Sequence, residues 1–198
     1  VEHLMSLRLI PNVDVIRPSN SIEMNHSYRY AFSDSKNPKV LSLTRQDLDY
    51  LDFDVKYEEF LKGGYVVSDG DDFTLVASGS ELEIAFKIKA ALLEYSVRIV
   101  SVPILNKLSN MKNEEINELL KNKHVFPIEL GRSIGWDSYL GRITKTFSID
   151  SFGESAPIED LEKKGFECSS WNNDLAPSYT NKKGKDLNKV IVNGDKPV

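Results

Sequence analysis

Cysteine, histidine and net positive charge are what this sequence has least of. The single cysteine, Cys168, excludes an internal disulfide, and it stands far from His3, His26 and His124, so no zinc-ligand spacing exists and no metal site is expected. Lys and Arg number 25 against 30 Asp and Glu, a formal net charge of −5, which leaves no basic footprint for a nucleic-acid backbone. Nucleic acid is therefore not expected as a partner. No apolar run approaches the ~18 residues needed to cross a bilayer, and no basic segment followed by a short apolar one opens the chain. The expectation is a soluble, cytoplasmic protein with no membrane contact. Catalytic signatures are also missing: there is no Gly-x-Ser-x-Gly elbow, no phosphate loop with its Lys and no His-Glu-x-x-His. The chain begins at Val1 rather than Met, which predicts a piece of a longer protein.

What is present is an alternation of helical and strand patterns. Leu4, Leu7, Leu9 and Ile10 predict a short helix stopped at Pro11-Asn12, and Val13 to Ile16 a strand ending at Arg17-Pro18. A helix carrying Ile22, Tyr28 and Phe32 follows from Ser19-Asn20, and Val40 to Thr44 reads as a buried strand with Arg45 just past its end. Residues 51–63 mix acidic and aromatic side chains without a period and read as a linker that packs against something.

From Gly64 the pattern becomes regular. Tyr65-Val66-Val67 and Phe73 to Ala77, separated by the acidic turn Ser68 to Asp72, predict a paired hairpin, and that turn lacks the ligand alternation of a calcium loop. A helix with Ile84, Ala85, Ile88, Leu92 and Tyr95 on one face begins at a Ser80/Glu83 capping box. Strands at 97–102 and 125–130, a helix from Asn113 and a strand at 144–149 continue the series, with Pro127 pushing its strand toward a sheet edge or strand end. A last short helix starts near Ser155-Ala156-Pro157. Only six of residues 167–198 are Leu, Ile, Val or Phe, so a mobile, disordered tail is expected there. The fold class is α/β: a three-layer α/β/α domain with a mostly parallel, mixed sheet, preceded by the partial end of a second α/β domain.

Candidate ligand contacts are few. His3 and His124 flank apolar elements and read as packing or surface residues. Arg17, Asn20 and Arg45 are better placed, because residues just past strand ends line the crevice where open α/β sheets hold ligands, and an arginine there can take a phosphate bidentately. Pairing of either arginine with a nearby carboxylate is an equal alternative.

Several segments resemble transketolase, in the family's order: Ser6 to Asn12, Val15 to Asn20, Leu43 to Leu48, Lys62 to Val66, Ala77 to Glu81, Gly135 to Tyr139 and Asp150 to Pro157. The Ser-Phe-Gly-Glu-Ser-Ala-Pro segment favours transketolase over pyruvate dehydrogenase β subunits and deoxyxylulose-phosphate synthase. The resemblance implies the C-terminal part of a pyrimidine-binding domain at 1–50, a linker at 51–63, the family's C-terminal domain at 64–166 and a polar tail at 167–198. It implies transfer of a two-carbon ketol unit between sugar phosphates, as in the pentose phosphate pathway, by a homodimer using thiamine diphosphate and magnesium.

The family's Gly-Asp-Gly…Asn motif for diphosphate and magnesium is absent, and its activating glutamate would lie before Val1. The resemblance thus implies no catalytic and no cofactor-binding residue in this chain, which alone would be inactive without the remaining domains or a second subunit. Two substrate contacts carry over. Arg45 matches the arginine that binds sugar phosphate, and Asn20 the aspartate of Arg-Pro-x-Asp that bonds a substrate hydroxyl, with an amide weaker than a carboxylate by ~1 kcal/mol. The alternative is a non-catalytic binding or dimerisation module of the same fold.

Overall fold

The computed structural model describes residues 2–33, 37–45 and 47–149. The expected helix near Ser155, the expected tail at 167–198 and the segment Asp150 to Pro157 lie outside them. The chain opens with α1 (His3–Arg8), β1 (Asp14–Ile16), α2 (Ser21–Ala31) and β2 (Lys39–Leu41). β1 and β2 form a two-stranded parallel sheet in register Asp14 to Lys39 through Ile16 to Leu41. The pattern-based strand at 40–44 is thus shorter and starts earlier. The segment expected to be a linker holds a single helical turn, α3 (Tyr57–Phe60), and buries Leu51, Val55 and Phe60.

The larger sheet follows: β3 (Tyr65–Ser68), β4 (Phe73–Ala77), α4 (Glu81–Ala91), β5 (Val97–Ser101), a 3-10 helix (Leu105–Asn110), α5 (Asn113–Leu120), β6 (Val125–Glu129), α6 (Trp136–Leu140) and β7 (Phe147–Ser148). Its order is β3-β5-β4-β6-β7, with β3 antiparallel to β5 and every other pairing parallel. β4, β5 and β6 are buried at every position, as strands covered on both faces must be. Alternate residues serve opposite faces: Leu75, Ile99 and Phe126 pack with Leu82 and Ala85 of α4, while Val76, Val100 and Val125 pack with Ile116, Leu119 and Trp136.

Two local expectations fail for identifiable reasons, and the buried face of α2 is polar. β3 and β4 do not form a hairpin, because β5 enters between them. Residues 69–72 arch over the start of β5, held by Asp72 N–H to Ser96 O and Ser96 N–H to Asp72 Oδ2. Gly70 lies so close to β5 that a Cβ would meet the Val97 carbonyl carbon at 2.3 Å. The capping box at Ser80 does not form: its hydroxyl donates instead to Glu81 Oε2 at 2.9 Å. On α2 the buried residues are Glu23, Ser27 and Tyr30, whereas Tyr28 and Phe32 are 47% and 85% exposed.

Pro127 sits in an interior strand at a position that tolerates it. Val125 directs both its N–H and its carbonyl at Thr144, so the period of two aims the Pro127 backbone the same way, at a level before the β7 ladder begins at Ile128.

Candidate functional site

β1 and β2 run parallel, so residues 17–20 and 42–45 leave the small sheet at one edge. A cavity of about 410 Å³ opens there, lined by Pro18, Asn20, Met24, Thr44, Leu48 and Tyr50 among others. Of the site residues expected from sequence, Asn20 lines this cavity and Arg45 follows Thr44, which also lines it. Arg45 is exposed and makes no hydrogen bond or ion pair among the described residues. A guanidinium in that state keeps its full fork of donors for an anion.

Asn20 is more engaged. It is the N-cap of α2, with Oδ1 accepting from Glu23 N–H at 2.9 Å, and its Nδ2 donates to the carbonyls of Leu51 and Phe53 at 3.3 and 3.2 Å. Asn at an N-cap satisfies one orphan helix donor. Here it also ties the following segment to the helix.

Arg17, the other candidate past a strand end, does not face the cavity ligand-free. It reaches into the larger sheet, donating to Glu81 Oε2 at 2.8 Å, Ser78 Oγ at 3.1 Å and Glu129 Oε1 at 3.2 Å. Pairing with carboxylates is thus the reading that holds for Arg17. Gly79 makes the approach possible, with φ +58 and a position where a Cβ would stand 3.3 Å from Arg17 Cβ. The buried Arg8 completes the group with Glu129 at 2.9 Å, and Trp136 Nε1 also donates to that carboxylate. β5 and β6 flank β4 on opposite sides, so the crevice between the ends of β4 and β6 is a topological switch point, the usual ligand position in such sheets. Arg17 occupies it.

A further buried carboxylate, besides Glu81 and Glu129, escaped sequence reading. Glu23 has no exposed surface and accepts from Ser19 N–H at 2.6 Å, Ser19 Oγ at 2.8 Å, Ser101 Oγ at 2.6 Å and the Tyr65 hydroxyl. Four donors and no cation satisfy it. Burial and the Glu23 carboxylate push the Tyr65 phenol well above its ordinary range. The available signal was Asn20-x-x-Glu23, a capping-box spacing whose acid here bonds Ser19 instead of closing the box.

His26 serves packing, whereas His3 is exposed. His26 Nε2 lies 2.7 Å from Val55 O, with its ring against Tyr57 and Phe60. Burial holds the His124 imidazole below its ordinary value. Among the described residues no acidic cluster is open to diphosphate-bound magnesium. Asp69 pairs with Arg98, Asp71 with Lys121 at 2.7 Å, and no group of three or more His, Cys, Asp or Glu that could hold a metal exists among the described residues. No helix among them is long and apolar enough to cross a membrane.

A family model described as a transketolase-like C-terminal domain matches residues 63–167, and a transketolase pyrimidine-binding domain model matches residues 1–49. The Bacillus subtilis (strain 168) transketolase is 38% identical over 173 residues, covering 81% of this chain and 26% of that protein. The Staphylococcus aureus (strain MW2) transketolase is 37% identical over 177 residues, covering 84% of this chain and 27% of that one. A solved transketolase from Leishmania mexicana superposes with TM-score 0.76 at 30% identity, over 100% of this chain and 28% of that one. The chain spans about a quarter of the length of the curated relatives it matches.

Proposed function

Because the chain belongs to the transketolase family, we propose that it supplies sugar-phosphate contacts and scaffold to an enzyme that moves a two-carbon ketol unit between sugar phosphates. In this reading residues 1–50 close a pyrimidine-binding domain, 51–63 link it, and 64–166 form the C-terminal domain of a cytoplasmic homodimer. Thiamine diphosphate with magnesium would supply the carbanion chemistry, held by residues outside this chain. The chain's own residues bind and orient: Arg45 takes the phosphate through paired N–H donors, and the second lone pair of Asn20 Oδ1 accepts from a sugar hydroxyl. This division leaves the chain inactive alone.

The observation that carries the reading is the disposition of Arg45, an unengaged guanidinium at the same sheet edge as the cavity that Asn20 lines. Titration of the labelled chain with ribose 5-phosphate, followed by amide NMR shifts of Thr44 and Arg45, tests it. Saturable shifts should appear, and Arg45→Ala should weaken them about tenfold, or about 1.4 kcal/mol. Unphosphorylated ribose should give far weaker shifts. Equal response to both sugars, or an unchanged titration in Arg45→Ala, would remove the assignment.

A further inference from the structure

The segment after Arg45 is stitched to α2 by side chains that each receive a main-chain carbonyl. Asn20 Nδ2 donates to Leu51 O and Phe53 O, and His26 Nε2 contacts Val55 O at 2.7 Å. The segment turns tightly here, with Phe53 N–H donating to Leu51 O at 3.1 Å, and that turn brings the Leu51 and Phe53 carbonyls together on one amide. The same segment walls the cavity through Leu48, Tyr50 and Leu51. Both amide donors of Asn20 and one of its two acceptor lone pairs are therefore committed inside the protein. An aspartate of equal shape would keep the helix cap but turn two N–H···O=C contacts into oxygen against oxygen.

We propose that Asn20 is a positioning residue whose amide fixes residues 48–53 against the start of α2 and thereby sets the shape of the cavity. Its remaining lone pair admits a hydroxyl that donates, and its committed amide offers nothing to a ligand atom that needs a donor. Only the identity of that hydroxyl rests on the sugar-phosphate reading. An amide, rather than an acid, is what this wall requires.

Hydrogen exchange by mass spectrometry on the full 198-residue chain tests the assignment. Two variants are compared with the parent: Asn20→Asp, and Asn20→Ser, which can cap the helix but cannot reach both carbonyls. Each should raise exchange over residues 48–55 about tenfold, while α2 stays within about twofold of the parent. Unchanged exchange over 48–55 in both variants overturns the proposal. So does an equal rise across α2, which would make Asn20 a cap and nothing more. The ribose 5-phosphate shifts at Thr44 report separately: their absence in the parent would remove the sugar-phosphate reading and leave the tether standing.

Discussion

The two sheets of this chain are held by different forces. The five-stranded sheet is closed by apolar side chains on both faces, with Phe73, Leu75, Val76, Ile99, Val100 and Phe126 fully buried. The two-stranded sheet has no such core, since β2 is only half-buried along its length. A pair of strands is marginal alone, and this pair gains its order from the larger unit. Part of that attachment is apolar, through Ile16 and Tyr30 against Phe60, Tyr65 and Ile104. The rest is polar and buried: Arg8 and Arg17 on Glu129 and Glu81, and Glu23 under Tyr65 and Ser101. This contrast predicts dependence in one direction, with the larger sheet standing without the smaller and the smaller failing without the larger.

The largest effect should come from the apolar side. Phe126→Ala opens a cavity between the sheet and α4 and should cost about 3–5 kcal/mol, read as a lower denaturant midpoint. Both regions should lose protection together, because the small sheet has nothing else to lean on. Next comes Glu129→Gln, which keeps the shape but withdraws the charge shared by Arg8, Arg17 and Trp136, at about 2–3 kcal/mol. Exchange should quicken over residues 3–45 and stay near parent values over 73–101. Equal loss in both regions would make them one cooperative unit and dissolve the distinction.

Tyr65→Phe is the smallest, about 1–2 kcal/mol, for one donor withdrawn from Glu23. Its pH dependence sharpens the point. The folded phenol titrates above its unfolded value of about 10, so its contribution is complete below that pH and falls above it, by up to about 1.4 kcal/mol per pH unit. Chemical denaturation between pH 9 and 11 should show a steeper decline for the parent than for Tyr65→Phe. Parallel curves would mean that the phenol is no part of the attachment.

Much of the larger sheet was legible because its strands are buried on both faces, and such strands read as short apolar runs between turns. Phe73 to Ala77 and Val125 to Glu129 announce themselves this way, and the transketolase resemblance agrees with the family models that match. Pairing was less legible. Tyr65 to Ser68 and Phe73 to Ala77 are neighbours in sequence, and nothing within them says that β5, some 25 residues on, will part them. The buried face of α2 was not legible because hydrophobic periodicity looks for oil, and this helix turns Glu23 and Ser27 inward. Those two are buried because α2 docks on a polar seam. The positions of Asn20 and Thr44-Arg45 past the ends of the two short strands were legible, whereas what Arg17 and Asn20 hold was not. Hydrogen-bond partners 31 to 112 residues away leave no mark on local sequence.

The Arg17 guanidinium at the switch point makes the larger sheet a receptor already filled by its own chain. Glu81, Ser78 and Glu129 present acceptors to a planar cation as a binding protein would to a solute. Tethering gives that cation an effective concentration that a free competitor can hardly match, at the millimolar scale or above for a short connection. A crevice that other α/β sheets lend to diffusible ligands is thereby withdrawn from exchange with solutes.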